Sequence, residues 1–289
     1  MKKVQNISAR AEAQEVTGGG PNKRASLPWV KRVQQGDRRL SRALPNFAQS
    51  SMSTIVMAPC FRARSALITF GGNAGGLLIP TAIRELRRTH VIAVTDRRRC
   101  FGMCGLDQLG DTYEECLGSF RALLAELRVT MVHVVGVSAG GYAALRFGLD
   151  LGASGVLGLG IPTTLNLADD PGKTLRDYPA LTALYRKRRE MGVDAARLYA
   201  ETFPRPRVLL AYSPKHLRDA WHAKRMSEIR GVELHEIHGD AGHRLLRWLD
   251  NTDGLEPYLE QLRSLRCLRG PIRPAPAQFQ ISNRRAANA

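Results

Sequence analysis

Two features that mark other classes of protein are missing from this sequence of 289 residues: an apolar segment behind the basic N-terminus and a Cys-x-x-Cys pair. Because no apolar segment separates Met1 from the glycines at 18–20, the sequence predicts no secretory signal and no membrane span, and thus a cytoplasmic protein. The five cysteines are an odd number at scattered positions, which favours free thiols over a disulfide framework or a zinc site. We therefore expect no bound metal and no other cofactor.

Acidic residues are scarce at both ends of the chain. Residues 1–50 contain ten Lys and Arg against three acidic residues, and residues 262–289 contain six Arg and no acidic residue. The formal net charge of +17 comes mostly from these ends, since the segment between them is nearly balanced. A basic tail attracts polyanions of any sequence. The charge thus predicts weak contact with a polyanion, such as nucleic acid or a charged polysaccharide, and does not indicate the activity.

The chain is organised as one domain at 51–266 with basic, flexible extensions at 1–50 and 267–289, neither of which has a sustained apolar period. Within the domain, short apolar runs alternate with segments of helical period, which is typical of a parallel sheet flanked by helices. The predicted strands are 53–57, 66–70, 90–95, 130–135, 155–160, 207–212 and 232–238. The predicted helices are 81–88, 113–128, 141–150, 216–229 and 254–265, with another after His243. About seven strands indicate a mostly parallel, doubly wound α/β sheet.

One stretch, residues 162–204, interrupts this alternation. It has no strand signal and is rich in Asp, Arg and Tyr. We interpret it as a candidate small helical cap over the site, in which substrate selectivity would lie.

The sharpest local motif is Gly136-Val137-Ser138-Ala139-Gly140, which follows the apolar run 131–135 and precedes a predicted helix. A serine on a sharp strand-to-helix turn needs small residues two positions before and after it, because the turn strains the backbone and crowds its neighbours. Gly136 and Gly140 meet this need, so Ser138 is the candidate nucleophile. At this motif the sequence resembles the α/β-hydrolase superfamily, over residues 53–265.

The resemblance implies a triad in the chain order Ser, acid, His. His243, in a Gly-flanked loop after the last predicted strand, is the expected base, which takes the proton of Ser138 and returns it to the leaving group. The expected acid is Asp219, the first carboxylate after the strand 207–212, although it lies further along the chain than in the family pattern. Its alternative role is a helix-terminus carboxylate, and Asp240 is the rival acid. Six histidines fit the pattern less well: His90, His133, His216, His222, His235 and His238.

The resemblance also implies an oxyanion hole, in which two backbone N–H groups face the charge that develops on the carbonyl oxygen. One donor is expected from Ala139, directly after the nucleophile. The other is expected from Gly72 or Asn73, in the glycine-rich segment that follows the strand 66–70. That segment matches neither Gly-x-x-x-x-Gly-Lys-Ser/Thr nor Gly-x-Gly-x-x-Gly, which argues against nucleotide binding.

Arg97 and Arg98 follow the predicted strand 90–95 at the edge of the sheet where ligands of open α/β folds bind. They are candidate substrate-binding residues for a carboxylate, phosphate or sulfate on the substrate. The alternative is a solvated charged loop.

Together these residues predict a serine hydrolase of the esterase type, which cleaves an ester, thioester or amide through an acyl-enzyme on Ser138. The expected substrates are small-molecule, glycan or acyl esters. Two alternatives stay open: an acyltransferase with the same triad, and a non-catalytic binding protein of this fold whose basic tails recruit a polyanion. The sequence does not indicate an oligomeric state.

Overall fold

The computed structural model describes residues 55–58, 60, 62–72, 88–166, 194–239, 242–252 and 254–268. The predicted N-terminal extension, nearly all of the C-terminal one, the helix at 81–87 and most of the candidate cap therefore lie outside the described residues. So do Asn73 and Asp240. Within the described ranges, no helix is both long and apolar enough to cross a membrane.

A single sheet of seven strands forms the centre of the domain. The strands are β1 (Ile55–Ala58), β2 (Ser65–Phe70), β3 (Thr89–Val94), β4 (Met131–Val137), β5 (Gly155–Leu159), β6 (Arg207–Tyr212) and β7 (Val232–Glu236). They lie in the order β1-β3-β2-β4-β5-β6-β7. All neighbours pair in parallel except β1, which is antiparallel to β3. The sheet confirms the predicted fold class and strand number.

The strand order reverses around β2, because β3 lies on one side of it and β4 on the other. In open α/β sheets, ligands bind outside the carboxyl ends of the strands at such a switch point. The register pairs Phe70 at the end of β2 with Gly136 near the end of β4. The residues after these two strands, which include Gly72 and Ser138, consequently meet at that crevice.

Helices cover both faces of the sheet. They are α1 (Tyr113–Glu126), α2 (Gly140–Asp150), α3 (Ala195–Glu201), α4 (Leu217–Lys224), α5 (Leu245–Asn251) and α6 (Leu255–Ser264). Side chains alternate along each strand. Ile68 and Val134 accordingly join the core beneath α1, α2 and α3, whereas Leu67 and Val135 join the core beneath α5 and α6.

Local sequence explains the best-predicted helix, α1. The Thr112 side chain accepts a hydrogen bond from the Glu115 backbone N–H, which caps the helix. Phe120 and Leu124 are buried four residues apart, on the face turned to the sheet. By contrast, α3 had no individual prediction: it lies inside the candidate cap segment, where Asp194 caps its first turn.

Candidate active site

Ser138 lies on the sharp turn between β4 and α2. Its φ angle is +49°, a left-handed conformation that is strained for a residue with a side chain. Two backbone hydrogen bonds hold the turn: Ser138 N–H donates to the Leu159 carbonyl at 3.0 Å, and Gly141 N–H donates to the Ser138 carbonyl at 2.9 Å. The hydroxyl of Ser138 is thus presented at the carboxyl edge of the sheet by the backbone itself.

The two motif glycines are required by close backbone contacts. A Cβ on Gly140 would lie 2.4 Å from the Gly71 carbonyl oxygen, and a Cβ on Gly136 would lie 2.5 Å from the Gly141 Cα. Neither contact is possible for a real side chain, because the atoms that would have to move belong to the backbone. The small residues that the motif predicted are therefore needed at both positions.

The His243 imidazole reaches Ser138 from the far end of the chain. It lies in the turn before α5, and its Nε2 is 2.6 Å from Ser138 Oγ. A hydrogen bond of this length allows direct proton transfer between serine and imidazole. Of the histidines considered in the sequence, the structure brings His243 to Ser138.

Asp219 contacts the other nitrogen of the same ring. His243 Nδ1 lies 2.8 Å from Asp219 Oδ2 and 3.1 Å from Oδ1. The carboxylate is 2% exposed and sits in the first turn of α4. After β6 the chain makes a turn in which His216 N–H donates to the Ser213 carbonyl. This turn places Asp219 at the carboxyl edge of the sheet, although Asp219 lies seven residues after the end of β6.

Gly160 leaves the space that the Asp219 carboxylate occupies. It follows β5 with a φ of +57°, and a Cβ at this position would lie 2.8 Å from Asp219 Oδ2. A side chain here would be strained by its backbone conformation and would press on the carboxylate. The glycine after β5 is thus part of how Asp219 reaches His243.

His216 also contacts Asp219. Its Nδ1 lies 3.0 Å from Asp219 Oδ2 and 3.3 Å from the Asp219 backbone N, and its ring centroid is 4.9 Å from that of His243. Sequence reasoning placed His216 among the histidines that fit less well. The i,i+3 spacing of His216 and Asp219 on a predicted helix was the available signal, because such residues share one face.

The expected oxyanion donors lie beside Ser138. Ala139 N–H begins the turn into α2, and a Cβ on Gly72 would be 3.2 Å from the Ser138 Cβ. Within the described residues, neither the Ala139 nor the Gly72 N–H donates to a protein acceptor. Among the described residues nothing occupies these two N–H groups, so a ligand can accept hydrogen bonds from them. The positive end of the α2 helix dipole lies next to both groups. Asn73, the alternative donor, is outside the described residues.

The arginines after β3 differ from each other. Arg98 donates to Asp107 at 3.0 Å, to the Cys104 carbonyl at 2.9 Å and to Asp111 at 2.6 Å. These bonds hold the guanidinium within its own loop, which raises its pKa, chiefly through Asp111. Arg97 is exposed, and no contact in the described part of the chain defines a role for it.

The same loop is organised around partly buried Asp96. Its Oδ2 accepts hydrogen bonds of 2.8 Å from the backbone N–H groups of Cys100 and Gly102. Burial raises the pKa of Asp96, and these backbone hydrogen bonds oppose the shift. Arg98 and Asp96 are therefore explained by the loop's own structure.

His216, Asp219 and His243 also offer one metal-ligand atom each within 4.8 Å of one another, in a search of the described residues. His243 Nδ1 is hydrogen-bonded to Asp219 Oδ2 at 2.8 Å, and His216 Nδ1 lies 3.0 Å from the same oxygen, which is an ion-pair distance. These polar contacts account for the arrangement.

Comparisons with known proteins agree on the architecture. No protein-family model matches the chain, and no curated protein matches its sequence. Among solved structures, a fluorophosphonate-binding serine hydrolase F from Staphylococcus aureus is 12% identical, with a TM-score of 0.50 over 75% of this chain and 88% of that one. A lipase-esterase related protein from Clostridium acetobutylicum is 12% identical, with a TM-score of 0.50 over 73% of this chain and 100% of that one. An alpha/beta hydrolase from a sediment metagenome of the Mar Chica lagoon is 12% identical, with a TM-score of 0.50 over 73% of this chain and 97% of that one.

The chain has the α/β-hydrolase fold. This confirms, at the level of the fold, the resemblance drawn from the sequence. Within the α/β-hydrolase fold, Ser138, His243 and Asp219 meet at the carboxyl edge of the sheet, in hydrogen-bonding contact from Oγ to the carboxylate.

Proposed function

We propose that this protein is a serine hydrolase that cleaves an ester through an acyl-enzyme on Ser138. One observation carries the proposal: a single imidazole, that of His243, bridges Ser138 Oγ at 2.6 Å and Asp219 Oδ2 at 2.8 Å. A base that touches the nucleophile on one nitrogen and a buried carboxylate on the other is what proton transfer from serine requires. Low-identity structural neighbours named as esterases and serine hydrolases are consistent with the proposal.

Acylation begins with the Ser138 proton moving to His243 Nε2 as Oγ bonds to the substrate carbonyl carbon. The carbonyl electrons move to its oxygen, where the N–H groups of Ala139 and Gly72 stabilise the negative charge. When the tetrahedral species collapses, the bond to the leaving group breaks, and His243 gives that oxygen its proton. The alcohol departs and leaves an ester on Ser138.

Deacylation repeats these steps with water. His243 Nε2 takes a proton from water, the resulting hydroxide adds to the acyl carbon, and the Ser138 oxygen leaves with the proton returned by His243. Asp219 keeps the imidazole in the tautomer with the proton on Nδ1 and stabilises the imidazolium that forms in both halves. With an alcohol in place of water, the same residues would transfer the acyl group.

A panel of p-nitrophenyl esters of increasing acyl length, with a charged sugar ester, tests the proposal. We expect turnover with release of the free acid, and Ser138→Ala is expected to lower kcat by roughly 10⁴-fold or more. An added alcohol that diverts the acyl group into a new ester would indicate a transferase. The proposal is contradicted if no ester is turned over, or if the turnover does not depend on Ser138. A role in binding would then be left.

We also propose a cytoplasmic location.

A further inference from the structure

The carboxylate of Asp219 is held by two imidazoles. It is 2% exposed, and in the described part of the chain its oxygens accept hydrogen bonds from His243 and contact His216, with no backbone N–H among their donors. A buried carboxylate is costly unless donors replace the water it has lost. The second imidazole is therefore one of few groups that stabilise this anion.

His216 Nδ1 faces two groups and can bond to only one of them at a time. It could accept from the Asp219 backbone N–H at 3.3 Å, as a helix cap, or donate its own proton to Asp219 Oδ2 at 3.0 Å. If Nδ1 carried a lone pair, that lone pair would face an anionic oxygen at 3.0 Å in a buried site, which is repulsive. The shorter distance and the charge of the acceptor both favour the Nδ1–H donor.

We propose that His216 is a positioning residue of the site, whose Nδ1–H fixes the Asp219 carboxylate against His243. Both imidazoles meet the same oxygen, Oδ2, so His216 sets where the partner of the base lies without touching a substrate. This inference rests on the proposed function, because the position of Asp219 matters for activity only if His243 acts as a base. It adds a residue that the Ser–His–Asp triad does not include.

Two substitutions test this role of His216. His216→Asn keeps an N–H donor at the position of Nδ1, whereas His216→Leu removes the polar atoms. Because the alternative role of His216 is that of a helix cap, Thr112→Ala is the matched control: it deletes the cap of α1 and, in the described part of the chain, makes no hydrogen bond to the three triad residues. The measurements are the rate constant for labelling of Ser138 by a fluorophosphonate probe at pH 8, kcat and KM with p-nitrophenyl acetate, and the melting temperature.

At pH 8 we expect His216→Leu to react about tenfold more slowly than wild type, with the loss in kcat rather than KM. His216→Asn is expected within about threefold of wild type, because one hydrogen bond to the anion is retained. Thr112→Ala should match wild type in both kcat and KM.

The proposal is overturned if His216→Leu reacts at the wild-type rate, even with a lowered melting temperature, because His216 would then serve only as a cap. It is equally overturned if His216→Asn is as slow as His216→Leu. A wild-type protein that reacts no faster than Ser138→Ala gives a different result: it overturns the proposed function, and this inference with it.

Discussion

The two halves of the site are built in different ways. The half that contains Ser138 is a turn of six consecutive residues, fixed by backbone contacts so close that no side chain fits at Gly136 or Gly140. The other half brings together Asp219 from α4 and His243 from the turn before α5, and in the described part of the chain side-chain hydrogen bonds join them. The first half depends on excluded volume, and the second depends on polar contacts.

This difference predicts different responses to substitution. A change in the serine turn alters the backbone and should affect the fold and activity together. A change of Asp219 or His243 to a residue of similar shape alters hydrogen bonds without displacing the backbone, so it should affect activity far more than stability.

The largest effect is expected for Asp219→Asn. The amide has the shape of the carboxylate but no charge, and it allows His243 to adopt the tautomer that cannot accept the Ser138 proton. We expect kcat/KM for a p-nitrophenyl ester to fall by roughly 10³- to 10⁴-fold with little change in melting temperature. Asp111→Asn, at a carboxylate 86% exposed, is the control and should behave as wild type. A loss of less than tenfold would show that Asp219 is not the acid.

Gly140→Ala tests the serine turn. Its Cβ would lie 2.4 Å from the Gly71 carbonyl oxygen, so the backbone must move, and we expect a loss of about 3 kcal/mol in the free energy of unfolding together with loss of activity. The control is Gly118→Ala in α1, where a Cβ meets nothing within 4 Å. That change should stabilise the protein by about 0.5 to 1 kcal/mol. Equal stabilities for the two variants, measured by urea denaturation, would contradict the account.

Gly160→Ala lies between the two halves. The added Cβ would press on Asp219 Oδ2 at 2.8 Å, and the residue's positive φ adds strain. We expect kcat/KM to fall by about tenfold to hundredfold, with a loss of about 1 to 2 kcal/mol of stability. Gly152→Ala is the control for the strain alone, because φ is +64° there and nothing lies within 4 Å. If both variants lose the same activity, the contact with Asp219 does not matter.

Much of the first half could be predicted from the sequence because its determinants are adjacent in the chain. The apolar run before Gly136 and the small residues around Ser138 report local sterics, and the alternation of strands and helices reports burial along each element. The seven strands follow from that alternation. These signals do not require knowledge of which distant segments meet.

The second half was only partly predictable because it depends on how a helix is oriented. Asp219 was uncertain from its distance after β6, and the turn at residues 213–216 that shortens this path has no strong sequence signal. The sequence did not indicate His216, because its role depends on two contacts: one to Asp219 on the same helix and one to the ring of His243, 27 positions further along the chain. Arg98 was a candidate for substrate binding with a solvated charged loop as the alternative, and in the structure Asp107 and Asp111 of the same loop contact it.

The smallest expected effect is a change in the pH dependence of stability at His133. This residue lies near the start of β4, the strand that leads into the serine turn. It is 3% exposed, and burial lowers its pKa to about 4, although a hydrogen bond to the Leu265 backbone opposes the shift. A lowered pKa means that the unfolded chain binds the proton more readily, so this group's stabilisation is complete above the unfolded pKa near 6.5 and is lost as pH falls toward 4. Between pH 6.5 and 5, the free energy of unfolding of the wild type should fall by about 1.5 kcal/mol more than that of His133→Gln.

Urea denaturation at the two pH values measures this difference. His238→Gln is the control, since that side chain is 77% exposed, and its pH dependence should equal that of wild type. If His133→Gln retains the wild-type pH dependence, burial of His133 does not contribute to the loss of stability in acid.

The central claim is that His243 activates Ser138, and fluorophosphonate labelling followed by peptide mass spectrometry tests it most directly. The account predicts a single adduct on Ser138 in the wild type, no adduct on that peptide in Ser138→Ala, and labelling at least about 10³-fold slower in His243→Gln. An adduct on another residue, or a His243→Gln variant that is labelled as fast as wild type, would contradict it.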